Sequence, residues 1–158
     1  MKTKRWLWLF TALSVLVICF IWGNSALTVE QSSAQSNAVA NILKPGTDTS
    51  TSLKDFYFHL FLRKTAHAVE FIALGLCVGG ATLCLGRLKG KRLVSLPLLV
   101  VLAVAVLDEY IQYFFGRGSS VTDVVLDFCS AFAGIALRSE STRLNSSHRC
   151  TSRMPSSA

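Results

Sequence analysis

Uncharged apolar runs long enough to cross a bilayer constrain this chain more than any other feature. The first, WLWLFTALSVLVICFIW from Trp6 to Trp22, holds no charged residue, is close to the length the hydrocarbon core needs, and has tryptophan at both ends. A backbone in hydrocarbon must bond its own N–H and C=O groups, so such a run reads as a helix. A second run extends from about Thr65 to Leu85, behind the aromatic run FYFHLFL, which fits the interface. A third runs from Leu93 to about Phe114 with Pro97 as an early interruption, and a short fourth, Val121 to Leu137, starts with Asp123 and Asp127. The pattern predicts an all-α, polytopic membrane protein with about four transmembrane helices.

The remaining composition agrees. The 158 residues are 51% hydrophobic with a net charge of +7. The basic residues stand in short clusters between apolar runs, the pattern that orients a membrane protein, so nucleic acid is not an expected partner. Lys2, Lys4 and Arg5 precede the first run, and RLKGKR from Arg87 to Arg92 joins the second to the third. Both clusters are expected to be cytoplasmic, which with four spans puts both termini inside and the segment from Gly23 to Lys64 outside. A cleavable leader is the rival to a retained first helix, with GNSAL as a mediocre cleavage site. Val29, Ser33, Ser36, Val39 or Ala40, and Leu43 fall at helical spacing, so a weakly amphipathic surface helix and a solvated loop are both open there.

Cys19, Cys77, Cys84, Cys129 and Cys150 show neither disulfide nor zinc spacing. From Ser139 the composition changes abruptly: seven of the last 20 residues are serine. Residues 1–138 are therefore expected to form the membrane domain. Residues 139–158 are expected to be a non-native or disordered tail that does not extend the fourth helix.

Charged residues at the end of lipid-facing helices are costly and mark functional sites. In RKTAHAVEF, Arg63, His67 and Glu70 make one helical stripe with Lys64 beside it. In LDEYIQYFFGRGSSVTDVVLD, Asp108 and Gln112 are an i, i+4 pair next to Glu109, and Arg117, Ser120, Asp123 and Asp127 follow. At a rise of about 1.5 Å per residue, Glu70 and Asp108 stand roughly 24 Å and roughly 22 Å from the inner edge, at similar depth. Cations at the start of one helix and carboxylates at the end of another each oppose the local dipole and relieve it side by side. This predicts pairing of Arg63, Lys64 and His67 with Asp108 and Glu109, with Arg117 available to Asp123 or Glu70. Gly75 and Gly79, with Ser130 and Gly134, allow close helix approach.

Each of these residues also has a structural reading. Arg63, Lys64 and Arg117 can snorkel to headgroups, His67 can be a hydrogen-bonded core histidine, and Asp123 can cap the fourth helix. No phosphate loop, nucleophile elbow or zincin motif is present, so no catalytic motif is recognised and no cofactor is assigned. A divalent metal at His67, Glu70, Asp108, Glu109 and Asp123 is open on ligand type alone. In an enzyme, His67 or Glu70 would be the base. The arginines equally suit a lipid phosphate or glycolipid headgroup. A non-enzymatic assembly role, locking helices or docking a partner membrane protein, is the alternative. A transporter finds no repeat to support it.

RKTAHAVEFIALG, LDEYIQYFFGRGSSVTDVVLD and, more loosely, SSAQS resemble the VanZ-like family of bacterial membrane proteins, over most of Met1 to Arg138. The resemblance implies four membrane helices in the bacterial plasma membrane and a role in the cell envelope. It also implies a link to resistance to the glycopeptide teicoplanin, with a lipid-linked or surface component as the partner. It marks Lys64, His67, Glu70, Asp108, Glu109, Gln112, Arg117, Ser120, Asp123 and Asp127. The family usually continues apolar beyond the position of Arg138.

Overall fold

The computed structural model describes residues 2–28, 30, 31, 34, 38, 53–91, 93–118 and 120–151, with the side chains at 53–56, 59 and 143–151 outside that description. Four long helices follow in order: α1 (Lys2–Ser25), α2 (Leu53–Lys89), α3 (Ser95–Phe114) and α4 (Val121–Thr151). The chain is all-helical among the described residues, and α1, α3 and the Leu60–Lys89 part of α2 are long and apolar enough to cross a membrane. α4 is the charged exception, with Asp123 and Asp127 in its first two turns.

α2 is the central element. It packs along most of α4 and against α1 and α3, while α3 also meets α4 and α1. Glycine makes the α2–α4 approach possible: a Cβ on Gly75 would run into the Ala131 carbonyl, and one on Gly134 into the Ile72 carbonyl. Gly79 faces Ile135 and Arg138 in the same seam, so the small residues expected to permit close packing do so here. Ile21, Phe71, Leu74, Val78, Val101, Val104, Ala105 and Ala131 form the apolar core.

The distribution of polarity is inverted relative to a water-soluble bundle. Trp8, Leu16, Leu99, Tyr113, Phe114 and Val121 are exposed, whereas Ser25, Asp108, Glu109, Gln112, Arg117 and Asp127 are buried. Large exposed apolar faces around a bundle that buries charged side chains beside its apolar core are what a lipid solvent stabilises. This protein is a membrane protein.

The helix boundaries correct four expectations. FYFHLFL belongs to α2, as its opening turns, so the second helix starts well before Thr65. α3 begins at Ser95 rather than Leu93, which puts Pro97 in the first turn, where no intrahelical N–H partner is lost, and the helix is not interrupted. α1 exceeds the Trp6–Trp22 run at both ends. α4 continues past Leu137 to Thr151. Ser139, Ser141 and Thr142 donate their hydroxyls to the carbonyls of Ala136, Leu137 and Arg138, so these polar residues are accommodated on the helix itself. The possible surface helix through Val29 and Leu43 lies largely outside the described residues. Cys19, Cys77, Cys84 and Cys129 are free.

Candidate functional site

The polar residues collect at one end of the bundle, where α1 and α3 finish, α4 begins and the amino-terminal half of α2 passes between them. The turn after α3 is closed by Gly116, whose φ of +71° few other residues tolerate. The Arg117 N–H then bonds back to the Gln112 carbonyl at 3.0 Å, which turns the chain inward and buries Arg117. Ser120 caps α4: its hydroxyl accepts the Thr122 N–H at 3.2 Å, and its own N–H is held by Glu109 Oε2 at 2.9 Å.

Asp108 is the most enclosed group. With no exposed surface, it accepts the Ser25 hydroxyl at 2.6 Å on Oδ1 and the Gln112 amide at 2.8 Å on Oδ2. The i, i+4 pairing of Asp108 and Gln112 is therefore a direct hydrogen bond along α3. On α2, Glu70 accepts the Asn24 amide at 2.9 Å. His67 Nδ1 stands 3.9 Å from both Glu70 Oε2 and Asp108 Oδ2, so Glu70 and Asp108 do meet at one level of the bundle. Those two separations exceed hydrogen-bond length, and His67 Nδ1 and Glu70 Oε2 are buried with no hydrogen-bond partner among the described residues.

Two expected pairings come out differently. Lys64 bonds to Asp123 at the start of α4 rather than to Asp108 or Glu109 on α3, because Glu109 is turned to the Ser120 N–H and Asp108 is enclosed by Ser25 and Gln112. Arg117 Nη1 donates to the Asn24 backbone carbonyl at 2.9 Å, not to Asp123 or Glu70. Burial, reinforced by the like charge of Arg63, pushes the Arg117 guanidinium down to about 10, which leaves it charged at neutral pH. Arg63 lies in the field of Asp123 and Glu109 without a direct ion pair among the described residues.

A cavity of about 320 Å³ opens at this end, and Arg63, Lys64, His67, Glu109, Gln112, Arg117, Asp123 and Asp127 contribute to its wall. Asp108 and Glu70 stand behind His67. Asn24 and Ser25 escaped the sequence reading: uncharged and placed just after an apolar run, they read as a mediocre cleavage site. Their polarity at the end of a membrane helix was the available signal, but only packing shows that they face two carboxylates.

The VanZ/LLP1 family model matches residues 10–139, which takes in α2 and α3, most of α1, the first part of α4 and every residue of the cluster. No curated protein and no solved structure matches the chain. The match covers most of the sequence and includes the motifs on α2, α3 and α4 that build the cavity, so the chain belongs to the VanZ/LLP1 family.

Proposed function

We propose that this chain is a VanZ-like envelope protein of the bacterial plasma membrane that binds, modifies or shields a lipid-linked or surface component and thereby lowers sensitivity to glycopeptides such as teicoplanin. The observation that carries the reading is the cavity in which Arg63, Lys64 and Arg117 stand opposite carboxylates at one end of a lipid-facing bundle. Guanidinium forks and a lysine suit a phosphate, while Glu109 and Asp127 suit hydroxyl donors, so the mixed wall favours a headgroup with both. The basic clusters at Lys2–Arg5 and Arg87–Arg92 support cytoplasmic termini and a cavity open to the outer face.

The test is teicoplanin susceptibility of a sensitive Gram-positive host expressing the full chain, compared with His67→Ala, Glu70→Gln, Asp108→Asn and Asp123→Asn at matched membrane abundance. The wild type should raise the inhibitory concentration several-fold and the variants should accumulate yet lose most of that protection. A wild type without protection sinks the resistance role.

One observation favours a second reading, a non-enzymatic assembly role. Ser25 to Asp108, Asn24 to Glu70, Arg117 to the Asn24 carbonyl and Lys64 to Asp123 all join different elements. Here the exchange Lys64→Asp with Asp123→Lys should restore function lost in either single variant, an outcome that a ligand-reading site would not give.

A further inference from the structure

The floor of the site holds an arrangement that hydrogen bonding leaves unexplained. His67, Asp108 and Asp127 come from three helices, and each offers a ligand atom within 4.8 Å of the other two. Asp127 is 2% exposed, a full turn deeper than Asp123, and makes no hydrogen bond or ion pair among the described residues. Around it, with every carboxyl group ionised and His67 neutral, Glu70, Asp108, Glu109, Asp123 and Asp127 outnumber Arg63, Lys64 and Arg117 by two negative charges. An uncompensated pair of charges in an apolar bundle is expensive, and a dication at this point would neutralise it.

We propose that His67, Asp108 and Asp127 bind a divalent transition-metal ion between α2, α3 and α4, with Glu70 Oε2 as a further donor. The distances fit. Two ligands about 2.1 Å from one ion are at most about 4.2 Å apart, and His67 Nδ1 is 3.9 Å from both Asp108 Oδ2 and Glu70 Oε2. The same gap that is too long for a hydrogen bond lies inside that limit, although it is wider than the roughly 3.4 Å between two ligands of a tetrahedral ion. The three ligand atoms lie within 4.8 Å of one another, so any pair wider than about 4.2 Å would have to be drawn together by side-chain rotation on binding.

The surroundings also match. Ligating carboxylates are oriented by outer hydrogen bonds, and Asp108 has one on each oxygen, from Ser25 and Gln112. Asn24 holds the second oxygen of Glu70 in the same way. One imidazole among carboxylates is a borderline-to-hard donor set, suited to Zn²⁺ or Mn²⁺ and ill suited to Cu⁺, with Zn²⁺ the tighter of the two by the usual order of affinities. His67 and Asp127 also face the cavity, so the ion would be reachable by a ligand there. This inference goes beyond the proposed resistance role and does not depend on it, since binding is read on the isolated protein.

The experiment is equilibrium dialysis of the chelator-stripped, detergent-solubilised full chain against micromolar ZnCl₂ or MnCl₂, with elemental analysis of bound metal and circular dichroism of every sample. The wild type should retain one ion per chain, and Asp127→Asn should lose it with helix content unchanged. Ser25→Ala, which alters no ligand, should weaken binding about tenfold to a hundredfold. A wild type that retains neither metal overturns the proposal and leaves protons as the neutralising species. Retention of metal by both Asp127→Asn and Asp108→Asn overturns it as well. If Asp127→Asn fails to accumulate, Ser25→Ala decides, because unchanged affinity there is incompatible with Asp108 as a ligand.

Discussion

At the scale of single residues, Asp108 is the group whose surroundings are most fully determined. Its two oxygens are bonded to Ser25 and Gln112, and His67 stands beside it. Removing the Ser25 hydroxyl leaves one carboxylate oxygen without its shortest partner. Ser25→Ala should therefore destabilise the protein by about 1 kcal/mol, the scale of an interhelical hydrogen bond in a membrane protein, read as an earlier unfolding midpoint in a denaturing-detergent titration. Asn24 serves differently: its amide holds Glu70, but its backbone carbonyl receives Arg117, so Asn24→Ala should lose the first bond and keep the second. The i, i+4 and i, i+3 stripes already placed Asp108 with Gln112 and His67 with Glu70. Ser25 stayed hidden because its partner is 83 positions away, and no local pattern encodes that contact.

At the scale of elements, the α2–α4 seam depends on backbone meeting backbone. Gly75→Ala and Gly134→Ala would each press a methyl group against a main-chain carbonyl, and neither helix can yield without shifting along its length. Each should cost about 1–3 kcal/mol in the same titration, as overpacking does. Gly23→Ala is the contrast, because nothing lies within 4 Å of its added Cβ. On α1 it should be neutral or stabilise by up to about 1 kcal/mol through helix propensity alone. The GxxxG spacing on α2 announced a close approach but not its partner. α4 as that partner emerges only from the fold, as does the run of α4 beyond Leu137, since serine and threonine bond equally well to their own helix or to water.

At the scale of the whole molecule, the four helices bring Asn24, Arg63, Asp108, Arg117 and Asp127 to one end and leave the basic α2–α3 connection at the other. The proposed orientation has a direct check: reporter fusions at residue 1 and residue 158 should both report the cytoplasm, and a reporter inserted at Gly118 should report the outside. Opposite signals from the two termini would remove the proposed topology. The site end and the basic end would still be segregated, because the helix directions alone separate them.

The helical class, the near positions of the membrane segments and the charged members of the polar cluster were legible along the chain. Each rests on a property that a linear pattern records: uncharged length, helical spacing, or charge beside an apolar run. The pairings within the cluster were not. Lys64 was expected to meet Asp108 or Glu109, and Asp123, of equal sign and type, takes it instead because the oxygens of those two are already engaged by Ser25, Gln112 and the Ser120 N–H. Likewise Asp127 comes near His67 and Asp108 on two other helices only because the Gly75 and Gly134 contacts draw α4 close to α2. Composition and periodicity report what a helix presents, whereas the partner it meets depends on how closely, and at what register, two helices pack.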